Sequence, residues 1–318
     1  MVEALINKHY PTGKPWVYKI DIKDEFYINE DEIDSQVTSL YLRNEVLSIN
    51  EKEHSFVLVE FSNILFDTLP QKIASFLNKL LNINMYYVLE LNKEGQVVEV
   101  HVDEDNNEEP LQEEVYRDGF YNSLQEDEKS IIDKAIQKSD ALFLKNNIKQ
   151  SLLLLFCYPG YFRGGLGGAS VAETHQAVIK SNFLEDVEWN VFFSMNLHEE
   201  GTGKEAINLI CTGDVFEGSK AEDAVLYQKI HNHFKVEESE TYTDYTFMVM
   251  CDYKISPNNY YIQNATIDIC ETMNDETLEF NKNISIRLSD EITSSFTTDR
   301  SLDDFKKKFI KKKRIVNT

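Results

Sequence analysis

The chain has 318 residues, 42% of them hydrophobic and 27% charged, with 19 Phe and 16 Tyr, enough apolar material for a large core and too much for a disordered or fibrous chain. The net charge is −23, yet residues 301–318 hold seven Lys/Arg against Asp303 and Asp304, which gives that tail +5 and leaves −28 on residues 1–300. A body that negative repels nucleic acid and anionic membrane surfaces, both of which need Lys/Arg neutralisation, and favours solubility and rapid encounter with basic partners.

The N-terminus has no basic stretch followed by an apolar one, so it is not read as a signal peptide. The apolar runs are core-sized; Leu152–Tyr158 is the longest strong one, far short of a transmembrane span. Trp16, Tyr18, Ile20 and Ile22 alternate with Val17, Lys19 and Asp21, a strand pattern that Val37–Ile49 continues. The acidic stretch Asp24–Asp34 between them lacks the oxygen spacing of a calcium loop and is read as a solvated loop. Phe56–Phe66 is apolar on both faces, which predicts a central strand covered on both sides. Ile73, Phe76, Leu77, Leu80 and Leu81 recur at helical spacing. Tyr86–Leu91 and Gln96–Val102 flank a polar turn ending in Gly95, a hairpin signal.

Asp103–Glu109 is a second acidic run, also read as a loop. Helices are expected between Leu111 and Gln150, one of them capped by Ser123 and Glu126 with Ile131, Ile132, Ala135 and Ile136 as its apolar stripe. A glycine-rich stretch, Gly160 to Gly168, precedes an expected helix over Ser170–Ser181. Its amides, with Arg163, Gly164, Gly165, Gly167, Gly168 and Ser170, are the candidate anion or ligand site. The Gly-Lys-Ser/Thr of a phosphate loop is absent, as is the third glycine of a dinucleotide fingerprint. Small residues around Ser170 resemble a nucleophile elbow, but His175 on the same helix is a poor general base, and Ser170 with Glu173 reads better as a capping pair.

Beyond residue 187 the alternation is clearest. Strands are expected around Trp189–Leu197, Ala206–Phe216, Tyr245–Ile255, Tyr261–Cys270 and Leu278–Leu288, with one helix over Ala221–Phe234. That helix points His231 and His233 apart, so no metal site is assigned. Cys157, Cys211, Cys251 and Cys270 sit singly in apolar runs, as buried thiols do in a reducing, cytoplasmic compartment.

The tail is the other candidate site. Ser301 caps a helix in which Leu302, Phe305 and Phe309 form a stripe, with Lys306, Lys307, Lys311 and Lys312 beside it. Such a basic amphipathic helix docks on a protein partner, on a membrane or on its own acidic body, the last being favoured.

These elements predict an α+β fold: a long-stranded, curved, half-barrel-like antiparallel sheet with helices packed on one side. The sections run 1–110 (sheet), 111–185 (helical insert), 186–300 (sheet) and 301–318 (basic tail), as one continuous unit. No cofactor and no catalytic set is assigned, and association of identical copies stays open. The function expected is a non-catalytic binding or assembly protein with a protein partner. The alternatives are a hydrolase beside residues 160–168 and a carrier of an apolar small molecule on the concave sheet face.

Overall fold

A computed structural model describes residues 12–66, 86–92, 97–102, 121–137, 157–158, 175–181, 188–198, 207–215, 246–256, 261–273, 278–289, 304–307 and 309–310. The strands are β1 (Trp16–Ile28), β2 (Asp31–Ile49), β3 (Ser55–Phe66), β4 (Tyr86–Leu91), β5 (Val97–His101), β6 (His175–Lys180), β7 (Glu188–His198), β8 (Ile207–Val215), β9 (Thr246–Ile255), β10 (Ile262–Met273) and β11 (Leu278–Ser289). They form one sheet in the order β5-β4-β3-β2-β1-β11-β10-β9-β8-β7-β6. Every neighbouring pair is antiparallel. The first and last strands pair at the centre, and a meander runs outward from each to the edges at β5 and β6.

The α+β expectation fails. Strands take 74% of the described structure and helix 12%, in two helices. One is α1 (Glu126–Gln137); the other is a C-terminal helical segment, residues 304–307 and 309–310. His175–Lys180, expected inside a helix, is edge strand β6: a six-residue run with two β-branched residues pairs with β7 instead of completing turns. The acidic loop expected over Asp24–Asp34 is the end of a hairpin. Asn29 and Glu30, at φ 50° and 68°, make the two-residue left-handed turn that matches strand twist, and Ile28 pairs with Asp31 across it. The charged side chains of β1 and β2 there line an extended ladder. The cap of α1 lies two residues later than expected: the Gln125 amide donates to Glu128 at 2.8 Å, while Ser123 closes a 3-10 turn. The helices expected over Ile73–Leu81 and Ala221–Phe234, and the acidic run Asp103–Glu109, lie outside the described residues.

Alternation sorts the side chains onto two faces. The inner face carries one continuous apolar cluster, which among the described residues draws on β1 to β5 and β7 to β11. Tyr18, Leu42, Val57, Leu89, Phe193, Tyr253, Ile267 and Ile286 are among its members, each at most 2% exposed. Residues 102–174 link the two sheet edges, and Cys157 and Tyr158 from that link join the inner cluster. The buried Tyr158 hydroxyl donates to Asn44 Oδ1 at 2.6 Å, so the one buried amide of β2 finds its partner across the core.

Two irregularities tune this face. In β3 the register shifts between its Ser62 and Leu65 pairings with β2; the extra residue turns Ile64 into the inner cluster and leaves Leu65 58% exposed. In β8, Gly213 lies opposite Phe193, whose ring covers it. A Cβ at 213 would stand 2.6 Å from Phe193 Cε1 and 3.0 Å from Val191 Cγ1.

Candidate docking site on the outer sheet face

The outer face is solvent-exposed along β9: Thr246, Met248, Met250, Asp252 and Lys254 face outward between buried neighbours. Strands β3 and β4 differ. Phe56, Leu58 and Val88 are buried on the side opposite Val57, Val59 and Leu89, and they form a second cluster with Phe305 and Phe309. This explains the two-sided hydrophobicity of β3: its outer face is the floor on which the C-terminal helical segment lies, with Leu47 and Tyr86 at the sides.

Phe305 and Phe309, one helical turn apart, both point at that floor. The Phe305 ring lies 5.1 Å from Tyr86, and the Phe309 ring 5.6 Å from Phe56 and 5.2 Å from His101, all tilted as aromatic pairs prefer. Lys306 Nζ, between them, meets Glu45 Oε2 at 2.7 Å. Glu45 also lies 3.6 Å from Arg43, and Arg43 reaches Glu60 at 3.2 Å, so one charged rim is a Lys-Glu-Arg-Glu chain. Burial pushes the Glu60 carboxyl above the ordinary carboxylate range, against the pull of Arg43 and Lys306. On the other side of the floor Glu90 lies between two imidazoles, with His54 Nδ1 at 2.8 Å and His101 Nε2 at 3.3 Å. This shared carboxylate orients both rings, and His101 also stacks toward Phe56 at 6.2 Å.

Of the residues singled out from sequence, Phe305, Phe309 and Lys306 come together here, seated on the chain's own sheet. Lys307 is exposed and reaches back to Asp304 at 3.5 Å. Lys311 and Lys312 lie outside the described residues, as do Arg163, Gly164, Gly165, Gly167, Gly168 and Ser170, and likewise His231 and His233. The receiving residues Glu45, Glu60, His54, Glu90 and His101 were not singled out. Their only signal was the two-sided apolar pattern of Phe56–Phe66, which implied a cover without saying which segment supplies it.

Cys157, Cys211 and Cys251 carry thiols in the inner cluster. Burial pushes the Cys211 thiol up to about 12 and raises those of Cys157 and Cys251 as well, so they stay protonated and unreactive. Tyr87, in the same cluster, has a fully buried hydroxyl with no hydrogen-bond partner among the described residues, and burial raises its pKa well above the usual tyrosine value. Among the described residues no three His, Cys, Asp or Glu side chains converge to hold a metal ion. Among them, too, no helix is long and apolar enough to cross a membrane.

No protein-family model matches the chain. No curated protein matches it. A solved structure described as lipid–protein interactions in lipovitellin is similar at a TM-score of 0.45 and 9% identity, over 92% of this chain and 26% of that one. The chain thus spans about a quarter of that protein's length, and a likeness at that score says nothing about what this chain binds.

Proposed function

We propose that this chain is a non-catalytic binding protein whose outer sheet face, over β3 to β5, receives basic amphipathic helices. The observation that supports this is the seated C-terminal segment: two aromatic side chains one turn apart fill an apolar floor, and the lysine between them pairs with an acidic rim. That is helix-in-groove recognition, in which spaced apolar anchors give affinity and flanking charge gives orientation. The chain's own tail is then the resident occupant, and a partner helix with the same aromatic spacing and a lysine between competes with it. The net charge of the body favours such a partner at long range.

The test uses the full-length Phe305→Ala, Phe309→Ala double variant, in which the groove loses its resident anchors, and a labelled peptide of residues 301–318. Saturable binding that Glu45→Lys in the body abolishes is the expected result. A folded double variant that ignores the peptide ends the proposal.

One observation favours a second reading, a carrier of an apolar molecule bearing a single hydrogen-bonding group. It is the Tyr87 hydroxyl, buried in the inner cluster without a partner among the described residues. Buried polar groups are nearly always satisfied, so an orphan of this kind suits a ligand's polar end. Mass spectrometry of solvent extracts from purified protein would detect such a ligand, and Tyr87→Phe would reduce what is retained.

A further inference from the structure

Strand β9 alternates without a break. Phe247, Val249, Cys251, Tyr253 and Ile255 join the inner cluster, and the residues between them face outward. Two of those are methionines, Met248 at 54% and Met250 at 50% exposure. A thioether held half in water gains little from packing, so its place on the face calls for a reason. Two positions apart on one strand, the pair share a face at a spacing of about 6.6 Å.

The antiparallel register places Cys270 of β10 directly opposite Met248, and Asp268 directly opposite Met250. Ile267 and Ile269 point inward, so Asp268 and Cys270 point outward, beside the methionines. Directly opposed residues hold their Cβ atoms about 4.5–5.5 Å apart. Three sulfur-bearing side chains therefore spring from one small area of the outer face. The methionines, with three rotatable bonds each, can close their sulfurs on a common point beside the thiol. Cys270 is also the one cysteine set apart from the inner cluster: it is half-buried, whereas the other three are buried.

We propose that Met248, Met250 and Cys270 form a soft-cation site that binds one Cu(I) or Ag(I) through a thiolate and two thioethers. Thiolate and thioether ligands select these ions over the hard divalent cations, which want oxygen. On binding, the S–H bond of Cys270 breaks, its proton goes to solvent, and the sulfur's electron pair bonds the metal. The metal keeps its oxidation state, so no oxidant or reductant takes part. Asp268 supplies a neighbouring negative charge, its Oδ1 fixed by the Asn283 amide at 2.6 Å. The acidic body raises the local concentration of any cation. The site is separate from the helix-docking groove and stands without it.

The experiment uses the reduced full-length chain without oxygen. Silver(I) is added and followed by native mass spectrometry; copper(I) is competed from a chromophoric chelator, and its sulfur shell is read by X-ray absorption. One ion per chain and three sulfur neighbours are expected. Met248→Leu with Met250→Leu, and separately Cys270→Ser, are each expected to lower affinity by at least about tenfold, a loss already seen for groups that only support a ligand. Leucine nearly conserves volume at two exposed positions, so the double variant folds, which an unchanged melting temperature verifies. Unchanged affinity in the methionine variant reduces the site to a lone thiol and overturns the proposal, and a two-sulfur shell overturns the three-ligand site. So does tight binding that survives Cys270→Ser.

Discussion

The two faces of this sheet are built on different rules. The inner face is one apolar cluster that ignores strand boundaries and, among the described residues, draws on β1 to β5 and β7 to β11. The outer face is polar and charged, and its second apolar cluster gathers where the C-terminal segment lies on β3 and β4. Comparing β3 with β9 shows the cause. The two strands are of similar length, but β3 is buried on both sides over Phe56–Val59 and β9 alternates buried with exposed, because an aromatic helix covers the first and Met248 and Met250 stand in water on the second. Burial here reports what covers each face. The two faces should therefore fail differently: a lesion inside loosens the whole sheet, whereas a lesion outside releases one segment.

The largest expected effect is Phe193→Ala. Its ring is 2% exposed and seals Gly213, so truncation removes a core aromatic and opens a cavity, at a cost of about 3–5 kcal/mol by urea unfolding. Gly213→Ala probes the same contact from the other side. The new methyl would press on the ring and on Val191, and overpacking of this kind costs about 1–3 kcal/mol. Both losses should appear in one cooperative transition. Phe305→Ala with Phe309→Ala should instead open a local unit: trypsin cleavage at Lys306 and Lys307 speeds up, while the midpoint of the main transition moves less than for Phe193→Ala. A double variant that melts the sheet as far as Phe193→Ala would erase the contrast between the faces.

Glu60 sharpens the contrast through pH. Its folded pKa is raised, chiefly by burial, so folding favours its protonated form. That contribution is full below the unfolded carboxylate pKa and is lost as pH rises through the higher folded value. Glu60→Gln cannot ionise, so its stability relative to the parent should improve as pH climbs from about 4 toward 7, starting in the ordinary glutamate range. A difference that stays flat over that range would mean the Arg43 pairing cancels the burial.

Much of the sheet was legible because alternation is a local property. The strands around Trp16–Ile22 and Tyr245–Ile255 follow from period two, Tyr86–Leu91 follows from the turn signal ending in Gly95, and the two-sided Phe56–Phe66 pattern announced a cover. What failed depended on distant contacts. His175–Lys180 became a strand because β7 offered a partner, and the acid-rich Asp24–Asp34 paired because the Asn29-Glu30 turn set the register for the whole hairpin. The groove was half legible. Phe305, Lys306 and Phe309 stand out as an amphipathic stripe, but Glu45, Glu90 and His101 converge only through the pairing of β2 to β5. Cys270 opposite Met248 was hidden for the same reason, since register is a property of two strands.

The smallest expected effect is Met250→Thr. The side chain is half exposed on the outer face of β9, and threonine suits a solvated strand at least as well as methionine does. With no core contact to lose, stability should shift by no more than about 0.5 kcal/mol in urea. A loss several times larger would show that something covers this part of the outer face in solution, as the tail covers β3. The strict alternation of β9 would then need a different cause, and the methionines would be packed groups with no sulfur to spare for a metal. A near-zero result keeps the two faces distinct and leaves Met250 free to act as a ligand.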